Sequence, residues 1–406
     1  MVPDCSNLAT VGFLVRRQAC PFDYTFASEV RLPFSDFHGN SDIVLRLREM
    51  LAHDRFPHAV ILTGACGSGK YTLAQMVAKA MNCLERPDPT GLFAAPSEEL
   101  PDFCGRCSNC VRIAQADDLE SRFTEAVEAR DGLRETDKKE TRILVQTFPE
   151  VLVIPPDPPQ MMIKVDQVRH VIHSIYYRPS EGRHKVYIFT HSAFMKEAAN
   201  ALLKILEEPP EFATIFLLAE NASSLLPTIR SRCITLHLAP LPLSEIEQDL
   251  SKRPEWNAKQ RQLVARLSGG AIGRARSFNL NEYLAARNDA LTLLKTALES
   301  NDHSALFKAT ESYRTGADGK EKTDALLAAT YGLLEDLLFL RSGTPDMLRN
   351  IDIEADLRKL GQAASFDWIT AAADRVSEVQ SGMRRNLLRS LSLDAMVAGL
   401  ERGDPS

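Results

Sequence analysis

Gly64-Ala65-Cys66-Gly67-Ser68-Gly69-Lys70-Tyr71-Thr72 is the stretch that decides how this chain is read. It fits the phosphate-binding pattern G-x-x-x-x-G-K-[ST] at every position but one. Tyr71 stands where a serine or threonine hydroxyl would help hold magnesium. Glycines let such a loop turn its backbone N–H groups toward phosphate oxygens, and the helix that follows adds the positive end of its dipole. Gly64, Gly67 and Gly69 are therefore the expected cradle, and Lys70 the side chain that reaches the β- and γ-phosphates. Thr72 completes the candidate set, but one residue late, so its hydroxyl should point elsewhere on the helix. A phenol is too long and rigid to replace the missing hydroxyl. The loop keeps a cradle for ATP and lacks a complete magnesium shell, which leaves nucleotide binding open.

The flanks supply the context such a loop requires. Ala59–Thr63 is a short continuous apolar run leading into it. Leu73, Met76, Val77, Ala80 and Met81 then fall on one helical face, so strand, loop and helix follow in order. Upstream, Ile43, Leu47, Met50 and Leu51 have helical spacing. Downstream come four more apolar runs, Val151–Ile154, Val186–Phe189, Thr214–Leu218 and Ile234–Leu238. Helical patterns separate most of them, such as Val165, Val168, Ile172 and Ile175, and then Phe194 to Leu206. Buried β runs alternating with helices predict an α/β fold with a five-stranded parallel sheet covered on both faces.

Hydrolysis by such a fold needs carboxylates at the end of a strand, to hold magnesium and to activate water. The natural candidate is Val186–Phe189, and Thr190-His191-Ser192 follows it with no carboxylate. His191 could serve as a base or simply cap the next turn. Two catalytic positions are thus altered in one chain.

The cysteines carry a second signal. Cys104-x-x-Cys107-x-x-Cys110 packs three thiols into one knuckle, with Cys83 upstream at the end of the loop helix. Four thiolates form a closed tetrahedral set for structural zinc, with no position left for water; a group of free thiols is the alternative. Cys5, Cys20, Cys66 and Cys233 lack partners at metal spacing. A third signal is Leu226-Pro227-Thr228-Ile229-Arg230-Ser231-Arg232-Cys233, just before the last predicted strand. A guanidinium projecting there could stabilise a phosphoryl group or merely be a solvated surface residue.

At 406 residues the chain predicts two to four domains. Its 44% hydrophobic and 25% charged content is that of a soluble globular protein, and its net charge of −6 does not advertise nucleic acid as the main ligand. Leu8–Val15 is mildly apolar, but Arg16 and Arg17 follow it rather than precede it, the wrong polarity for an export signal. No run reaches the length of a membrane span. A cytoplasmic protein without membrane partners is expected, its eight cysteines serving as reduced thiols or metal ligands rather than disulfides. Residues 1–33 read as an irregular extension. Residues 34–240 hold the loop and the apolar runs, interrupted by the knuckle (83–110) and by a densely charged insertion (117–142). In that insertion Leu119, Phe123 and Val127 predict an amphipathic helix running into a flexible arm. Residues 241–282 read as a small helical unit broken at Gly269-Gly270, and 283–406 as a separate helical domain.

Taken in order, these residues resemble a family. Phe56-Pro57-His58-Ala59, the phosphate loop and the cysteine knuckle come first. Asn200-Ala201-Leu202-Leu203-Lys204-Ile205-Leu206-Glu207-Glu208-Pro209-Pro210 and Ser231-Arg232-Cys233 follow. From about Phe34 to Leu280 the chain closely resembles the bacterial sliding-clamp loader subunits of DNA polymerase III, which are AAA+ proteins. The resemblance implies an AAA+ P-loop module, a small helical lid over 241–282 and an all-α collar domain over 283–406. It implies a pentamer with gamma/tau and delta subunits that opens the sliding clamp and sets it on primed DNA. Gamma/tau subunits keep a G-K-T loop and an Asp-Glu pair. Delta prime subunits have degenerate ATPase motifs yet retain the S-R-C arginine. Tyr71 and Thr190-His191 favour the delta prime type, and a gamma/tau-like ATPase with atypical magnesium ligands is the alternative. The resemblance makes Arg232 an arginine finger acting in trans on a neighbour's ATP. A second family arginine falls near Gly273, where this chain offers Arg274 one residue off.

Overall fold

The computed structural model describes residues 33–53, 55–85, 100–253, 255–299 and 319–384, together with 393, 396, 399 and 400. All but one residue of the expected extension 1–33, with Cys5 and Cys20, lies outside them. The chain divides into two units. One contains the described residues up to Pro242 together with Gly270–Ser277, the other Leu243–Gly269 and Phe278 onward.

The first unit begins with α1 (Ser41–Ala52), β1 (Ala59–Thr63) and α2 (Lys70–Asn82). The inserted helices α3 (Ser108–Ala114), α4 (Leu119–Asp131) and α5 (Glu135–Glu140) follow. Then come β2 (Val145–Phe148), β3 (Val151–Ile154), α6 (Val165–Ile175), β4 (Lys185–Phe189), α7 (Lys196–Glu207) and β5 (Ala213–Ala219). A single turn, α8 (Pro227–Arg230), leads into β6 (Ile234–His237).

The sheet has six strands in the order β2-β3-β4-β5-β1-β6. Five are parallel, as the five apolar runs predict, and their middle members are buried along their whole length. The five-strand expectation is corrected by β2, which pairs antiparallel with β3 at the edge, with a register shift between Val145 and Phe148. Only its two end residues are buried, so it lacks the continuous apolar run of a central strand. The charged insertion also differs from expectation. Leu119, Phe123 and Val127 are buried along α4 as predicted, but the expected flexible arm is the short polar helix α5.

β1 lies between β5 and β6, with Val60 beside both Phe216 and Ile234. Its carboxyl end opens into the loop 64–69, the place where open α/β sheets hold their ligands. One sheet face is filled by α6 and α7, where Val168, Val171, Leu202 and Ile205 pack against Ile61, Tyr187 and Ile215.

The second unit is helical: α9 (Leu243–Ser251) and α10 (Ala258–Leu267), then α12 (Leu280–Glu299), α13 (Gly319–Arg341), α14 (Glu354–Ala363) and α15 (Phe366–Arg384). The intervening α11 (Ile272–Arg276) belongs to the first unit. Leu326, Leu327, Leu333, Leu334 and Leu337 line one buried stripe of α13 and anchor the core of this unit. Asp336, fully buried there, accepts from the backbone N–H groups of Arg349 and Asn350 and from the Asn350 side chain, so both its oxygens are hydrogen-bonded. Among the described residues no helix is long and apolar enough to cross a membrane.

Candidate functional site

The loop after β1 has the backbone its glycines predict. Gly64, Gly67 and Gly69 all have positive φ, at 145°, 80° and 90°. Gly67 is required for a further reason: a Cβ there would lie 2.5 Å from the backbone nitrogen of Arg274. The Gly273 N–H donates to the Gly67 carbonyl at 2.8 Å, so the start of α11 rests directly on the loop. Sequence reasoning placed Gly273 and Arg274 nearby but did not foresee this backbone contact. Lys70 is buried and folded back, its Nζ donating to the carbonyls of Gly64 at 2.9 Å and Ala65 at 2.7 Å. Thr72 is only part-buried on α2.

Tyr71 is fully buried and turned toward the inserted segment. Its hydroxyl donates to the Ala116 carbonyl at 2.6 Å and accepts from Gln75 Nε2 at 2.7 Å. Burial pushes the phenol well above its ordinary range, so it remains a neutral hydroxyl. Every residue of α2 but Thr72 is buried, and its polar side chains follow the same logic. Lys79 pairs with Asp117 at 2.5 Å. Asn82 Oδ1 accepts from the N–H groups of Arg183 and His184, and Asn109 Nδ2 donates to the Asn82 carbonyl. The residue that breaks the magnesium pattern is thus one of several fastening α2 to the insertion.

Cys83, the residue that follows α2, completes that attachment. The sulfurs of Cys83, Cys104, Cys107 and Cys110 all lie within 4.8 Å of one another. Zinc–sulfur bonds of ~2.3 Å in a tetrahedron place sulfurs ~3.8 Å apart, so the set fits a zinc ion. Backbone N–H groups already point at the sulfurs: Arg106 and Cys107 donate to Cys104 Sγ at 3.4 and 3.2 Å, and Cys104 donates to Cys83 Sγ at 3.4 Å. Burial opposes ionisation of Cys107, but N–H groups from Cys110 and Leu84 bring its thiol down to about 7. Such donors stabilise thiolates, the form a metal binds. With four thiols and no open position, a bound metal would be structural rather than catalytic.

At the end of β4 the described structure places Thr190 and His191. Burial lowers the His191 pKa, with Glu220 opposing, and its Nδ1 accepts the Ala193 N–H at 3.0 Å. His191 is therefore a neutral ring spent on capping its own turn, not an acid that could hold magnesium.

Arg232 lies apart from the loop. It lines an open groove of about 540 Å³ with Pro57, His58, Leu206, Glu207 and Cys233. Three separate sequence signals, Phe56–Ala59, Leu202–Pro210 and Ser231–Cys233, thus meet at one place, because β1, β6 and the end of α7 meet there. The guanidinium donates to the Thr228 carbonyl through Nη1 and to Glu207 Oε1 through Nη2, both at 2.8 Å. Its side chain is still 35% exposed. His58 Nε2, in the same wall, is buried without a hydrogen-bond partner among the described residues. Neither Glu207 nor His58 was singled out as a site residue from sequence, although both stood inside quoted motifs.

A phosphate loop at the carboxyl end of β1 in a largely parallel sheet, with α11 seated on it, defines a P-loop module. A family model described as DNA polymerase III, delta subunit matches residues 39–242, half of the chain, and the chain belongs to that family. Among its relatives, DNA polymerase III subunit tau of Escherichia coli (strain K12) is 27% identical over 354 residues, 81% of this chain and 47% of that one. DNA polymerase III subunit delta' of Bacillus subtilis (strain 168) is 24% identical over 360 residues, 88% of this chain and 94% of that one. The chain therefore spans less than half of the tau relative and nearly all of the delta' relative. A solved DNA polymerase III gamma subunit-related protein of Thermotoga maritima superposes with a TM-score of 0.36 at 16% identity, covering 87% of this chain and 98% of that one.

Proposed function

We propose that this chain is a delta prime-type subunit of the DNA polymerase III clamp loader, one that does not hydrolyse ATP itself and lends Arg232 to a neighbour's nucleotide. The observation that carries the reading is Tyr71. Its hydroxyl is committed to Ala116 in the inserted segment and to Gln75 on α2, so the loop has no magnesium ligand at that position. The missing carboxylate after β4 supports the same conclusion, and the part-exposed Arg232 supports the donated role. In this reading the partners are gamma/tau and delta subunits, the sliding clamp, and primed DNA through the assembly. Residues 241–282 serve as lid and 283–406 as collar. The knuckle holds one structural zinc, and the protein works in the cytoplasm.

The similarity to tau keeps a second reading in play, a gamma/tau-like ATPase with atypical magnesium ligands. Reconstitution with gamma/tau and delta subunits separates the two. Under the delta prime reading, Arg232→Ala leaves assembly intact and depresses ATP turnover of the loader, in line with the ~10³–10⁵ rate contribution of an arginine finger. An unchanged rate would remove Arg232 from the mechanism.

A further inference from the structure

We infer that Glu207 is a positioning residue for Arg232, orienting its guanidinium for a phosphate supplied by a neighbouring subunit. This rests on the donated-arginine reading above.

An arginine carries five N–H donors in a rigid planar fork. Two are engaged here, one by the Thr228 carbonyl and one by Glu207 Oε1, which leaves three. The two anchors come from different elements. Thr228 lies on α8, one turn before Arg232 itself, whereas Glu207 ends α7, 25 residues earlier. A carbonyl from its own turn would fix one corner of the fork and let the plane swing. The second anchor stops that swing and fixes the plane in which the remaining donors lie. Glu207 is itself half-exposed, so the pair is not a buried charge compensation. An exposed ion pair adds little stability, which leaves orientation as the main consequence of its geometry. The groove it faces is open.

The test uses the reconstituted loader with ATP, comparing Glu207→Ala, Glu207→Gln, Arg232→Ala and the double variant, with assembly checked by gel filtration. Small misplacements of catalytic groups cost up to ~10²-fold. Glu207→Ala is expected to lower kcat by about 10-fold or more while leaving KM for ATP unchanged. Glu207→Gln, whose amide oxygen still accepts from Nη2, should recover most of the rate. On the Arg232→Ala background, loss of Glu207 should change nothing further. If Arg232→Ala slows turnover but Glu207→Ala does not, or if Glu207→Ala raises the rate, the positioning role is wrong and the finger stands. An additive loss in the double variant also overturns it. An unchanged rate in Arg232→Ala overturns the finger reading itself, and the positioning role with it.

Discussion

Restoring the phosphate-loop threonine should damage this protein rather than repair it. Tyr71→Thr replaces a fully buried ring with a small side chain. Aromatic-to-small truncations in a core cost ~3–5 kcal/mol. Tyr71→Phe isolates the hydroxyl: it leaves the Ala116 carbonyl and the Gln75 amide without their partner, both on residues only 1% exposed. Gln75 Oε1 is already unpaired, so rotating that amide offers no rescue. Unsatisfied buried polar groups cost ~1–3 kcal/mol, and about 2 kcal/mol is expected for Tyr71→Phe. Urea denaturation followed by far-UV circular dichroism should show a midpoint lowered by about 1 M for Tyr71→Phe, at a slope of ~2 kcal/mol/M, and by more for Tyr71→Thr. Hydrogen exchange should localise the loss to α2 and α3. Tyr71→Thr should also gain no ATPase, because Thr190-His191 still supplies no carboxylate. A threonine variant as stable as the parent that hydrolyses ATP would refute the assignment of Tyr71 to the insertion.

Other outcomes follow from the same geometry. Metal analysis of protein purified without chelator should give about one zinc per chain, and Cys107→Ser should lose it and loosen α3. Lys79→Ala should remove the ion pair to Asp117 and cost ~1–3 kcal/mol by the same denaturation assay, without altering zinc content. Glu150 is buried, which alone would raise its pKa, but N–H groups of Ser180 and Glu181 and the Ser180 hydroxyl hold it below the ordinary carboxylate value. Its contribution to stability is present above the unfolded-state value and is lost as pH falls through the lower folded value. Glu150→Gln should therefore flatten the acid limb of the stability profile, and an unchanged limb would show that Glu150 does not contribute.

The parallel strands were legible because strands buried on both faces read as continuous apolar runs. The edge strand β2 was not, since Val145-Gln146-Thr147-Phe148 buries only its ends. Helix α5, Glu135-Thr136-Asp137-Lys138-Lys139-Glu140, has no apolar residue to set a period. At the candidate site, Tyr71 was visible as a departure from a pattern, but not its destination. Its partner Ala116 lies 45 residues away, across an insertion whose path the local sequence does not encode. The pairing of Arg232 with Glu207 was hidden for a similar reason: the two meet only after α7, β5 and α8 are in place. The seating of Gly273 on Gly67 is a backbone contact, and side-chain patterns carry no trace of it.

On this reading the chain keeps a phosphate loop without a hydrolytic centre. The most direct test is magnesium-dependent ATP turnover by the purified chain alone, beside Lys70→Ala. Background turnover, the same in both proteins, is expected; turnover well above background that Lys70→Ala abolishes would show an intact hydrolytic centre.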